Sequence, residues 1–330
     1  MATKTELTQD QQDWVVRVTE VLGSTHPTRS SSTYGKLSLG DVKVSLVDAD
    51  GATARTRRER RHALILPREH GAWGLLLVPL VTGAGIAFRE SSRIVPAILL
   101  LVAALALFWL RTPLESLLGT SALRAQTKDE RRSVAIVISI LGTVAALALG
   151  TLLWAWHNPL LWPIGIAACA VFIGQALLKK LGRSARMLSE IVGTVGLTAA
   201  APAAYYVVTG KFGLTAWMLW MANLIFAGDQ IHYVQLRIHT ARVEGFKNKL
   251  MRGWTFAAGQ LAMTVLLTIA CLLGVIPAIA SVAFSPLLFR GWFYFVQKPA
   301  PLVVRRLGWN ELSYAVTFCV LFIAAFAVSK

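Results

Sequence analysis

The chain has 330 residues, of which 55% are hydrophobic and only 15% charged, and its mean hydropathy is +0.57. Soluble domains carry about 25% charged residues, so this balance argues against a soluble globular protein and points to lipid. A formal charge of +16 would suit a nucleic-acid binder. The Lys and Arg residues, however, stand in short runs between long apolar stretches, where they orient spans and meet anionic headgroups, so no nucleic acid is expected.

Residues 1–62 differ in kind from the rest and are read as a basic, partly disordered cytoplasmic segment. Apolar residues at Trp14, Val15, Val18 and Val21–Leu22 suit a short amphipathic helix over Asp10–Leu22. The alternation in Leu37–Val47 allows a small hairpin. Arg55–His62 is a dense basic run immediately before the membrane domain, which is taken as residues 63–330. The first apolar stretch starts only near residue 70 and is too long for a signal-peptide core, so it is read as the first span.

From there the chain reads as nine spans of the length a ~30 Å hydrocarbon core demands. They are placed at about 70–88, 94–110, 133–153, 160–178, 190–208, 213–231, 254–274, 276–296 and 311–329. The seventh and eighth are parted only by Gly274-Val275-Ile276-Pro277, a tight helical hairpin. With the N-terminus inside, the loops after spans two, four, six and eight hold seventeen Lys and Arg, and the opposite loops hold four, Arg89, Arg93, Lys211 and Lys330. This positive-inside bias puts the C-terminus outside. Small residues at Gly142, Ala146 and Gly150, and through Gly193–Ala204, predict close helix packing. Cys169, Cys271 and Cys319 all lie in apolar stretches without metal-ligand spacing and are read as packing residues.

Ionisable residues in or beside spans mark sites or pathways by default. Glu69 and His70 open the first span; Arg111 and Glu115 close the second; Asp129–Arg132 precede the third; Glu190 opens the fifth. Asn223, Asp229, Gln230, His232, Tyr233, Gln235 and Arg237 crowd the end of the sixth. Asp229 shares a helix face with His232 and Tyr233 by its three- and four-residue spacing. Arg290 lies inside the eighth span and Glu311 opens the ninth. The nine-span topology gathers all of these except Arg290 at one cytoplasmic face, which predicts a polar cavity open to the cytoplasm. No phosphate-binding Gly-rich loop, Gly-x-Ser-x-Gly elbow, HExxH or paired CxxC occurs.

The run Pro67-Arg68-Glu69-His70-Gly71-Ala72-Trp73-Gly74, followed by Arg111-Thr112-Pro113-Leu114-Glu115, resembles the YwiC-like family of bacterial membrane proteins over about residues 64–329. This implies residence in the bacterial inner membrane. A second, looser likeness is to UbiA-type intramembrane prenyltransferases, which have nine helices and two acidic motifs that bind Mg²⁺ and an isoprenoid diphosphate. That likeness implies an all-α, polytopic bundle of UbiA-like arrangement, with Glu115, Asp229 and Tyr233 as catalytic candidates and Glu115 and Asp229 as Mg²⁺ ligands. Substrate would then meet Glu69, His70, Arg111, Arg131, Arg132, Asn223 and Arg237. The sequence departs from that pattern in lacking the spaced Asn and Asp of the first motif and the paired aspartates of the second. Two alternatives stand beside it: a transporter using Glu190, Asp229, Arg290 and Glu311, and a non-catalytic scaffold in contact with membrane lipids.

Overall fold

The computed structural model describes residues 60, 62–66, 70–119, 123–181, 185–298 and 302–329. The proposed amphipathic helix and hairpin of the N-terminal segment, and Glu69, lie outside them. The described residues are predominantly helical, and no strand occurs among them.

Eleven α-helices and one 3₁₀ segment are used below. They are α1 (His70–Ala87), α2 (Ile94–Leu118), α3 (Lys128–Trp154), α4 (Leu161–Lys180), α5 (Arg186–Thr198), α6 (Ala200–Thr209), α7 (Leu214–Thr240), α8 (Phe246–Arg252), α9 (Trp254–Leu272), the 3₁₀ segment Ala278–Phe284, α10 (Ser285–Val296) and α11 (Val304–Val328). Among the described residues seven segments are long and apolar enough to cross a membrane: Ile94–Leu118, Lys128–Trp154, Leu161–Leu178, Leu188–Thr209, Trp254–Leu272, Ala278–Val296 and Arg305–Val328. Trp73–Ala87 is apolar but shorter. Helix α7 is long enough at 27 residues, yet its second half carries the polar run from Asp229 to Arg237.

Local chemistry explains where the helices depart from the apolar stretches. Helix α2 continues past Arg111 and Pro113 to Gly119, whose left-handed backbone (φ 71°) closes it with an N–H to the Glu115 carbonyl. Helix α3 starts in the polar loop because Thr127 and Glu130 form a reciprocal capping box. The fifth apolar stretch is two helices, not one. Pro202, near the start of α6, has no N–H for the preceding turn, and the chain breaks at Ala199. The eighth stretch is likewise divided: a 3₁₀ segment follows Pro277, and Pro286 restarts an α-helix at its first turn. Gly274, in the left-handed region at φ 66°, makes the tight turn before it.

Helix α6 forms the centre, with every residue from Ala201 to Val208 buried. It packs on α1, α2 and α7, while α1 also meets α11 and α7. The small residues of this stretch permit that approach: a methyl added at Gly83 of α1 would run into the carbonyl oxygen of Ala201. Asn223 of α7 exchanges hydrogen bonds with Thr82 of α1 at 3.1–3.2 Å, and its amide also donates to the Leu219 carbonyl at 2.8 Å. Phe226 stacks on Phe318 with centroids 4.2 Å apart, and Phe284 meets the edge of the same ring at 5.0 Å. These rings join α7, α11 and the 3₁₀ segment.

One packing expectation is corrected. Among the described residues the stripe Gly142, Ala146, Gly150 on α3 seats no other helix; Ala146 and Gly150 are exposed, and added methyls at both glycines would meet nothing within 4 Å. Ala145 and Ala148, on the other face, are buried instead, on the side where α3 meets α2. The outer surface of the bundle carries exposed Ile140, Leu147, Ile166, Ile173, Val265 and Val316, as a lipid-facing surface requires.

Candidate functional site

Four helices contribute to one buried ion cluster. Arg290 of α10 donates to Asp229 of α7 at 2.7 Å and to Glu311 of α11 at 2.6 Å. The arginine is only 4% exposed, so its charge is compensated by these carboxylates and not by water. Gln260 of α9 completes the group by donating to the second Asp229 oxygen. The guanidinium lies over the Tyr233 ring at 4.0 Å and the Tyr314 ring at 4.7 Å, an arrangement that favours a desolvated cation. Gln230 ties α7 to α11 through the Glu311 carbonyl at 2.9 Å.

The helices bring these residues to a common level. Gln260 is six residues after Trp254 at the start of α9; Arg290 is six before Val296 at the end of α10; Glu311 is seven after Val304 at the start of α11. At about 1.5 Å per residue each lies roughly 9–10 Å inside its helix end. Among the described residues four buried side-chain atoms have no hydrogen-bond partner: Arg290 Nε, Glu311 Oε1, Gln260 Oε1 and Arg237 Nε. Buried polar groups are nearly always paired, so this concentration distinguishes the region. Two carboxylates share one guanidinium here, which leaves a net charge of −1 when both are ionised.

Beside the cluster runs a groove of about 450 Å³ between α5, α7 and α9. Its walls are chiefly apolar, including Ile191, Val195, Leu224, Ile231, Met263 and Leu266. Polar groups enter at Asp229, His232, Gln235 and Gln260, so the cluster and the groove share Asp229 and Gln260. Gly228 lines the groove as well, and an added methyl there would meet nothing within 4 Å.

The structure separates the remaining candidates by role. Glu115 is held by Arg111 on its own helix at 2.9 Å. Arg131 reaches the Ala125 carbonyl at 3.4 Å and Arg132 is exposed. Asn223 is wholly buried as the α1–α7 link. Tyr233 supports Arg290. Arg237 lies over the Tyr294 ring at 4.9 Å. His70 begins α1. Glu190 accepts from Gln235 of α7 at 3.2 Å. Among the described residues no group of three or more His, Cys, Asp or Glu is placed to hold a metal. The two carboxylates proposed for Mg²⁺ are each engaged by an arginine, so this donor set does not fit that ion.

Gln260, Tyr314, Tyr294 and Lys249 were not singled out as site residues by sequence reasoning. Arg290 and Glu311 were noticed as costly charges, and Arg290 inside a span was the clearest available signal. Lys249, on α8, is 1% exposed and donates to the Gln297 carbonyl at 2.6 Å. Burial, and secondarily the nearby Arg237 charge, hold its pKa below the usual lysine value.

The fold and site together define a class: an apolar helical bundle, built like a membrane protein, with an ion cluster enclosed among α7, α9, α10 and α11. Residues 66–205 match the family described as YwiC-like protein. The match takes in α1 to the middle of α6, shorter than the stretch 64–329 over which the sequence resembles that family. The residues of the ion cluster lie beyond it. No curated protein and no solved structure matches the chain.

Proposed function

We propose that this chain is an integral membrane protein of nine spans that binds an isoprenoid or related amphipathic lipid in the groove between α5, α7 and α9. The lipid's polar end meets the Asp229–Arg290–Glu311 cluster. Adding α1 and α7 to the seven long apolar segments gives the nine spans. The positive-inside bias then turns the cluster toward the cytoplasm. The observation that carries the reading is the sharing of Asp229 and Gln260 between an apolar groove and a buried ion cluster. An apolar body is accommodated by the groove walls, and a hydrogen-bonding head finds Asp229 and Gln260 where the groove meets the cluster. This reading requires no Mg²⁺ and includes no prenyl-transfer step.

The test is lipid mass spectrometry on gently purified protein, comparing wild type with Gly228→Leu. A Cβ at this position meets nothing within 4 Å, and the rest of a leucine side chain extends into the groove. Wild type is expected to carry a specific lipid that the variant loses. Equal lipid content in both would sink the proposal.

A second reading, a carrier of protons or small ions, is favoured by the competition of Asp229 and Glu311 for one guanidinium inside the bundle. Ion flux into proteoliposomes that vanishes in Glu311→Gln would support the carrier over the lipid-binding protein.

A further inference from the structure

A second charged feature lies next to the ion cluster and has no acidic counterpart of its own. Arg237, near the end of α7, and Lys249, on α8, both approach the Tyr294 ring of α10, at 4.9 and 4.8 Å from its centroid. The ring is held by its hydroxyl, which shares a 2.8 Å hydrogen bond with Thr240. Among the described residues neither cation has a carboxylate within ion-pair distance. The acid whose charge reaches Arg237 is Glu311, which already holds Arg290. Among the described residues Lys249 donates to one neutral carbonyl, that of Gln297, and the buried Arg237 Nε has no acceptor.

Placing a buried Lys249 and a half-buried Arg237 around one ring costs stability that an aromatic face offsets only in part. An anion with several acceptor oxygens would satisfy both cations at once, and phosphate is the common chemical group that matches. The surroundings point the same way. Arg242, Lys247 and Arg252 flank the pair in sequence, with Glu244 the one acid between Arg237 and Arg252. Phe246 and Met251 of α8 and Trp254, which begins α9, are exposed, Trp254 by 65%. A short helix that combines exposed apolar side chains with basic ones suits the headgroup layer of a membrane.

We propose that Arg237 and Lys249 form a phosphate-binding site, covered by α8, beside the Asp229–Arg290–Glu311 cluster. It uses no residue of the groove, and its loss would leave the groove reading intact. The phosphate can be presented by an anionic phospholipid or come from solution, and the experiment separates the two.

Wild type, Arg237→Gln, Lys249→Met and the distant surface control Lys128→Gln are purified in full length. Lys249→Met keeps the apolar stem and removes the buried charge, so it folds even if Arg237→Gln does not. Each is tested in one arm by native mass spectrometry for retention of phosphatidylglycerol against phosphatidylcholine. The other arm measures the thermal shift caused by inorganic phosphate against chloride at equal ionic strength. A wild-type preference that falls about tenfold in Lys249→Met, but not in the control, supports the site. Dependence in the lipid arm assigns the phosphate to a headgroup, and dependence in the phosphate arm alone assigns it to solution. No preference in either arm, or an equal loss in Lys128→Gln, overturns the proposal.

Discussion

Arg290 and Asp229 are 61 residues apart in the chain and meet at 2.7 Å inside the bundle, both side chains almost sealed from solvent. The same guanidinium reaches Glu311 at 2.6 Å, so one cation joins α7, α10 and α11. Removing it strands two carboxylates in an apolar interior. Breaking a buried ion pair from one side costs about 3–5 kcal/mol. Arg290→Met is therefore expected to lower the thermal midpoint sharply in detergent. The triple variant Arg290→Met, Asp229→Asn, Glu311→Gln is expected to recover a large part of the loss. Failure of the triple variant to recover would show that the charges are not coupled.

Asn223 is expected to serve structure and not ligand. Its side chain binds Thr82 of α1 and the Leu219 carbonyl, and it does not line the groove. Asn223→Ala should cost about 1–2 kcal/mol by loss of buried hydrogen bonds, seen as a lower melting temperature with unchanged lipid retention. A variant that keeps its stability but loses lipid would place Asn223 in the binding site instead.

The crossing of α1 and α6 supplies a contrast between two glycines. A methyl at Gly83 strikes the Ala201 carbonyl, whereas one at Gly74 meets nothing within 4 Å. Overpacking of this kind typically costs about 1–3 kcal/mol. Gly83→Ala should reduce the yield of folded protein and its melting temperature, while Gly74→Ala should be neutral. Equal behaviour of the two would contradict the close approach of these helices.

The helices were legible because lipid imposes a length on apolar segments: among the described residues seven segments are long and apolar enough to cross a membrane, and the fifth and eighth stretches are each divided. Their interruptions follow from Pro202 and Pro286, whose effects depend on packing as well as on the missing N–H. The second span reads as ending near residue 110, where the apolar run meets Arg111, whereas α2 continues through Pro113 to Leu118. The cluster was only half legible. Arg290 and Glu311 declared themselves as charges where charge is costly, but nothing in sequence spacing pairs residues on α7, α10 and α11. Gln260 gave almost no signal, being an uncharged amide in an apolar run. Lys249 resembled every other loop lysine that orients a membrane protein, and only burial distinguishes it.

Topology is open to direct labelling. In a background where Cys169, Cys271 and Cys319 are replaced by serine, single cysteines are placed at Lys211 and at Glu244. A membrane-impermeant maleimide should label the Lys211 position in intact cells and the Glu244 position only after permeabilisation. The reverse pattern would reject the N-inside, nine-span arrangement.

The occupant of the groove between α5, α7 and α9 is open to direct measurement. Purified protein is illuminated in bilayers containing a small fraction of a lipid with a photoreactive group on its apolar chain, and adducts are mapped by peptide mass spectrometry. Adducts concentrated on Ile191, Leu224, Ile231, Met263 and Leu266, and lost in Gly228→Leu, are the predicted result. Adducts spread equally over the outward Leu147, Ile166 and Ile173, and unchanged by that substitution, would contradict it.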